Sequence, residues 1–163
     1  MDTTRNLSRG AWSGWAALPI RIVVGGGLMY HGFPKLFSPA EHRSFTAMMA
    51  SLGLPLPEVW TWIVGSLEFF GGLAVFTGAF VTVAAVLLII ELVIELGAHL
   101  VTGELPTPAP GQQSLPGYED TLLYLSGLLA LLIGGAGVLS IDRLRARGFS
   151  QSLSSVGRDR LAD

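Results

Sequence analysis

Apolar residues along the chain gather into long stretches, which are separated by short segments rich in proline, glycine and polar residues. A helix that spans a bilayer needs about 20 consecutive, mostly apolar residues. The segments that meet this requirement are residues 18–36, 59–80, 81–101 and 120–141. The middle two form one stretch that is too long for a single span, so the chain must reverse near Thr77, Gly78 and Thr82. The pattern predicts an all-α integral membrane four-helix bundle.

Basic residues are concentrated on one side of this predicted bundle. Those on the side of the two termini are Arg5, Arg9, Arg143, Arg145, Arg147, Arg158 and Arg160. The loops on the opposite side hold only Lys35 and Arg43. Because Lys and Arg accumulate in cytoplasmic loops, both termini are predicted to be cytoplasmic. The chain then divides into a cytoplasmic N-terminus (1–17), a four-helix domain (18–142) and a basic cytoplasmic tail (143–163).

The first outer loop is predicted to contain a short amphipathic helix of its own. Ser38 and Glu41 have the spacing of a capping box, and Pro39 suits the first helical position. The apolar residues that follow at helical spacing are Phe45, Met48, Met49 and Leu52. We expect this helix to anchor the loop at the membrane surface, and a lid over the mouth of the bundle is the alternative.

Composition narrows the range of functions. Half of the residues are hydrophobic and 13% are charged, which is typical of a protein whose partner is the lipid bilayer and gives no surface for nucleic acid. Cysteine is absent, so the chain's own residues cannot form disulfides, thiolate metal sites or iron–sulfur clusters. Any thiol chemistry must therefore come from a substrate or from another chain.

Ionisable residues inside the predicted spans are the strongest functional signal, because each is costly in hydrocarbon unless it is paired or hydrated. Arg21 lies near the cytoplasmic edge, where Asp142 is at similar depth, and we interpret these two as a structural ion pair. The remaining six lie at the midplane or in the outer half. They are the candidate ligand-binding residues: His31, Lys35, Glu68, Glu91, Glu95 and His99.

The spacing of these six residues predicts a shared polar cavity. Glu91, Glu95 and His99 follow one another at intervals of four, and His31 and Lys35 do the same on the first helix. Polar contacts that hold helices together would explain any one of these residues, but such contacts rarely need three buried acids. Their charges do not balance, so a carboxylate is protonated, a histidine is charged, or a cation is bound.

Three kinds of ligand can be considered for this cavity. A quinone needs a hydrogen-bond donor and a proton-accepting carboxylate, which histidine and glutamate supply. A metal could be held by the same side chains, but the Glu-x-x-His spacing of carboxylate metal sites in bundles is missing. A haem would need His31 and His99 at one level, and their predicted depths differ by roughly 7 Å at ~1.5 Å per residue. The sequence favours the quinone, assigns no metal ligand and leaves catalytic residues unassigned.

Several motifs together resemble the DoxX family. They are Gly32-Phe33-Pro34-Lys35, the segment Met49–Gly53 with Pro55, Glu68 before Gly71-Gly72, Thr77-Gly78, His99, and the closing segment Gly135–Asp142. By that resemblance, Lys35, Glu68 and His99 match positions of the family's pattern, whereas Glu91 and Glu95 lie outside it. Ala136 replaces the proline that is usual in the closing motif.

The resemblance implies a four-helix, multi-pass protein of a bacterial or archaeal cytoplasmic membrane. By this resemblance, the chain is similar to the membrane subunit of thiosulfate:quinone oxidoreductase and to proteins linked with thiol, quinone or catechol stress. The expected function is a membrane component of a quinone-linked oxidoreductase system, with other membrane or redox subunits as partners. The alternative is a non-catalytic accessory subunit of a larger membrane complex.

Overall fold

The computed structural model describes the backbone of residues 3–102 and 117–145, and the side chains within those ranges except at positions 3–13, 99, 101, 102, 117 and 118. These residues form helices and turns, without a β-strand. The helices are α1 (Thr3–Phe37), α2 (Pro39–Ser51), α3 (Pro57–Thr77), α4 (Val81–Thr102) and α5 (Gly117–Gly134). Residues 141–145 add one more helical turn.

Two of the predicted helix boundaries are informative. The reversal between α3 and α4 is confirmed at Gly78, whose φ of 77° suits the left-handed C-cap of α3. The last helix was predicted to reach residue 141, and this was wrong, because α5 ends at Gly134. Gly135 and Gly137 have φ of 79° and 82°, which turns the chain back toward α1 before Asp142.

The helix surfaces are those of a protein in lipid. Many large apolar side chains point outward, and Ile133, Leu100 and Ile94 are exposed by 87, 68 and 67%. Monomeric soluble proteins rarely expose apolar surface so extensively. Within the described residues, α3 and the segment Val81–Ala98 of α4 are long and apolar enough to cross a membrane. Spanning by α1 and α5 stays a prediction.

Glycine allows α1 and α3 to pack with their backbones in close contact. Gly25 and Gly32 of α1 are seven residues apart, as are Gly65 and Gly72 of α3. The two helices are antiparallel, so Gly25 meets Gly72 and Gly32 meets Gly65. A Cβ on Gly72 would lie 2.8 Å from the carbonyl oxygen of Gly25, and a Cβ on Gly32 would lie 2.8 Å from that of Gly65. Small residues at these positions therefore fix the spacing of the two helices.

Gly32→Ala is expected to destabilise the protein by about 1–3 kcal/mol, because the new methyl group would push against the backbone of α3 rather than against a movable side chain. Gly26→Ala is the matched control on the same helix, since no atom beyond the adjoining part of its own helix lies within 4 Å of its Cβ position. It should be neutral or slightly stabilising. Thermal unfolding in detergent compares the two, and equal melting temperatures would contradict the packing argument.

The short helix predicted in the first loop is confirmed as α2. Ser38 is its N-cap with extended backbone angles and Pro39 occupies the first turn, but the capping-box hydrogen bond is not formed. The helix lies against the bundle, where Thr46 Oγ1 is 3.0 Å from Thr61 Oγ1 and His42 Nδ1 is 2.7 Å from the carbonyl oxygen of Lys35. Thus α2 covers one end of α1 and α3, and its role as a membrane anchor stays a prediction.

The opposite end of the bundle is held by Arg21, which is 2% exposed. Its guanidinium donates to the carbonyl oxygens of Val75 (3.0 Å) and Phe76 (2.9 Å) in the last turn of α3. It also donates to those of Ala136 (3.1 Å) and Leu139 (2.8 Å) in the turn after α5. One side chain thus joins three segments of the chain.

Asp142 does not form the predicted direct ion pair with Arg21. Its carboxylate oxygens accept hydrogen bonds from the backbone amides of Phe80 (2.8 Å) and Val81 (3.0 Å) at the start of α4. These amides have no partner within their own helix, so a carboxylate there satisfies them and favours the helix dipole. Arg21 and Asp142 therefore cap different helix ends, and their charges interact across the same junction.

Candidate functional site

The close contact of α1 and α3 places a lysine beside a buried glutamate. Lys35 follows Gly32 by one turn, and its Nζ lies 2.6 Å from Oε1 of Glu68, whose side chain is 3% exposed. The ammonium also lies over the ring of Phe45 from α2, 4.3 Å from the centroid. Within the part of the chain that the structure describes, this is the one salt bridge. Lys35 is thus held inside the bundle and does not extend to the surface.

Two further glutamates from α4 join Glu68. One carboxylate oxygen from each of Glu68, Glu91 and Glu95 lies within 4.8 Å of the others. Oε2 of Glu68 and Oε2 of Glu91 are buried and accept no hydrogen bond. The sequence predicted that these acids share a cavity, and the structure adds that they converge from two helices onto one point.

A cavity of about 180 Å³ lies next to this cluster, between α1, α3, α4 and α5. Its walls combine apolar side chains with polar groups: Leu28, His31, Lys35, Glu68, Leu92, Glu95, Asp120, Thr121 and Tyr124. The structure thus brings four of the six candidate residues, His31, Lys35, Glu68 and Glu95, to a single cavity. Glu91 is not part of this wall, but its carboxylate belongs to the same cluster.

A second, wider pocket of about 460 Å³ lies between α1 and α2. It is lined by Tyr30, His31, Pro34, Lys35, Glu41, Ser44, Phe45 and Met48. His31 and Lys35 line both spaces. They therefore form the partition between an outer pocket, which α2 covers, and the inner cavity.

Residues from α5 complete the inner cavity, and the sequence analysis did not include them. Asp120 and Tyr124 are four positions apart, which places both on one face of α5. The ring of His31 meets that of Tyr124 edge-on at 5.7 Å between centroids. The sequence analysis did not identify either residue, although their spacing of four matches that of His31 and Lys35.

His99 belongs to α4 by its backbone, and its side chain lies outside the described residues. The alternative of a haem between His31 and His99 rests on that side chain. Arg21, by contrast, is described in full and lies at the other end of the bundle, so its separation from the candidate ligand-binding residues agrees with the sequence analysis.

Comparison with protein families gives one match. The DoxX family model matches residues 16–101, which is more than half of the chain of 163 residues. This region includes α1 from its middle onward, α2, α3 and most of α4, and it ends before α5. Searches of curated proteins and of solved structures found no match. DoxX is a family of membrane proteins associated with oxidoreductase-type systems, and the chain belongs to it.

Proposed function

We propose that this protein is a membrane component of a quinone-linked oxidoreductase system, and that the inner cavity binds the ring of a quinone or of a similar small redox-active molecule. The supporting observation is the composition of the cavity wall, in which hydrogen-bond donors, carboxylates and apolar side chains line one space. Pockets for drug-sized ligands are about 300–1,000 Å³. A space of about 180 Å³ suits a single ring whose tail remains outside.

The residues around the cavity divide into donors and proton acceptors. The Lys35 ammonium and the Tyr124 hydroxyl are donors that can bind a carbonyl oxygen, and the carboxyl groups of Glu95 and Asp120 can hold a proton beside it. Leu28 and Leu92 exclude water from the faces of the ring. A bound quinone supplies two-electron redox chemistry that is coupled to protons, and this cavity provides groups for the protons.

The proposal also includes the orientation and the setting that the sequence predicts. Both termini lie in the cytoplasm and four helices span a bacterial or archaeal inner membrane, so the α2 end faces outward. A ligand then reaches the cavity from the outer pocket or laterally from the outer leaflet. The bound quinone exchanges electrons with a substrate or with another membrane or redox subunit, because the chain has no cysteine thiol that could exchange them.

Tyr124→Phe tests the cavity, because it removes a hydroxyl donor and keeps the ring. We expect binding of a short-tailed ubiquinone analogue to the detergent-purified protein to weaken by roughly 2- to 10-fold, the effect of one neutral hydrogen bond. Tyr30→Phe is the matched control, since Tyr30 is 77% exposed and lines only the outer pocket. Fluorescence titration measures both variants against the unmodified protein.

Identification of co-purifying quinones by mass spectrometry completes this test. The proposal is overturned if no quinone co-purifies and the analogue does not bind. A stable partner complex whose turnover is unaffected by Glu68→Gln and Glu95→Gln would instead identify a non-catalytic accessory subunit.

A further inference from the structure

We propose that Glu68, Glu91 and Glu95 form a binding site for a hard divalent cation between α3 and α4. The site shares Glu68 and Glu95 with the wall of the inner cavity, and it does not rest on the proposed quinone function. The sequence analysis assigned no metal ligand because α4 lacks the Glu-x-x-His spacing. The structure supplies a different donor set, which is three carboxylates from two helices.

Spacing is the first argument for this site. Calcium–oxygen bonds are about 2.3–2.6 Å long, so two ligand oxygens on one ion are at most about 5 Å apart. Oxygen atoms of the three glutamates all lie within 4.8 Å of one another. A single ion can therefore reach one oxygen of each residue with little movement of their side chains.

The second argument is independent of the clustering and concerns hydrogen bonding. Glu68 is only 2% exposed, and its Oε1 is paired with Lys35, yet its Oε2 is buried without a partner. Oε2 of Glu91 is buried in the same state. A buried carboxylate oxygen without a donor is strongly unfavourable, and each such atom calls for an explanation. A cation bound between the two helices is the partner that we assign to these oxygens.

Charge identifies the class of ion. With all three carboxylates ionised, the Lys35 ammonium leaves two negative charges uncompensated, and one divalent cation neutralises them. Carboxylate oxygens without thiolate are the ligands that Mg²⁺, Ca²⁺ and Mn²⁺ prefer. The adjacent cavity, whose wall includes Glu68 and Glu95, provides room for the water molecules that complete the coordination of such ions.

Mn²⁺ is the probe, because its free form has a six-line electron paramagnetic resonance signal that is lost on binding. Protein purified in detergent and stripped with a chelator should bind about one Mn²⁺ per chain, and its melting temperature should rise with Mn²⁺ concentration. Glu91→Gln should weaken binding about tenfold or more and abolish that rise. Glu58→Gln, which changes an exposed acid on α3, should behave like the unmodified protein.

The properties of Glu91→Gln without metal distinguish loss of the site from loss of the fold. Because the substitution removes one of three neighbouring negative charges, the metal-free variant should be monodisperse and melt at or above the temperature of the metal-free parent. Tyr124→Phe should bind Mn²⁺ as the parent does, so failure of the quinone proposal and failure of this one are separable.

Two results would overturn the cation site. One is Mn²⁺ binding that is equal in Glu91→Gln and in the parent. The other is no binding by the parent at millimolar Mn²⁺ and none at the same concentration of Ca²⁺, together with an infrared band of a protonated carboxyl group that Glu91→Gln removes. That second result would assign a shared proton to the cluster.

Discussion

Lys35→Met is expected to lower the free energy of unfolding by about 3–5 kcal/mol, the usual cost of removing one partner of a buried ion pair. The Lys35 side chain is 14% exposed and that of Glu68 is 3% exposed, so little solvent is available to replace the lost ammonium. The variant also loses the cation–π contact with Phe45. Denaturant unfolding in a defined detergent, in chelator-containing buffer, measures the change.

A second substitution separates loss of the charge from loss of packing. Lys35→Met combined with Glu68→Gln removes both charges and keeps both chain lengths, and it should recover most of the lost stability. Arg43→Met, which removes an exposed cation of α2, is the control and should have little effect. If the double variant is no more stable than Lys35→Met alone, the pair is not the source of the effect.

Arg21→Met is expected to destabilise the protein by on the order of 4 kcal/mol. Hydrogen bonds to charged groups contribute about 1.5–3 kcal/mol each, and they are not additive within one side chain. The substitution leaves the carbonyl groups of Val75, Phe76, Ala136 and Leu139 without their donor at a buried junction. The same unfolding measurement in detergent detects the loss.

Two comparison variants make the test of Arg21 specific. Arg21→Lys keeps the charge but cannot donate to two segments at once with a planar fork, so its loss should be intermediate. Arg143→Met removes an exposed arginine at the same end of the bundle and should be close to neutral. If both variants lose the same free energy of unfolding, the geometry of the guanidinium matters and its charge alone does not. If neither variant loses stability, Arg21 does not stabilise this end of the bundle.

The sequence predicted the helices well where apolar length and turn chemistry agree. The reversal at Gly78 and the start of α2 at Pro39 both follow from residues whose backbone preference is strong. The end of α5 was missed because the residues beyond Gly134 are still apolar. Ala136 and Val138 continue the apolar pattern, although the backbone turns at Gly135 and Gly137.

The candidate site was predictable to the extent that charges are rare in apolar segments. This signal identified Glu68, Glu91 and Glu95, which do converge. It could not show which helix faces meet, so Tyr124 was missed, since a tyrosine near a helix end is as typical of a membrane interface as of a binding site. The individual contacts of Arg21 and Asp142 were not predictable, because depth alone does not reveal that carbonyl groups and amides at helix ends bind these side chains.

The contacts of Arg21 also have a consequence for the stability of incompletely synthesised chains. Two of the four acceptors of the guanidinium, Ala136 and Leu139, lie 115 and 118 residues further along the chain. A nascent chain that has released only α1 to α4 therefore carries a buried cation with half of its hydrogen bonds missing. We therefore expect truncations before residue 136 to be degraded in the cell faster than truncations after residue 145.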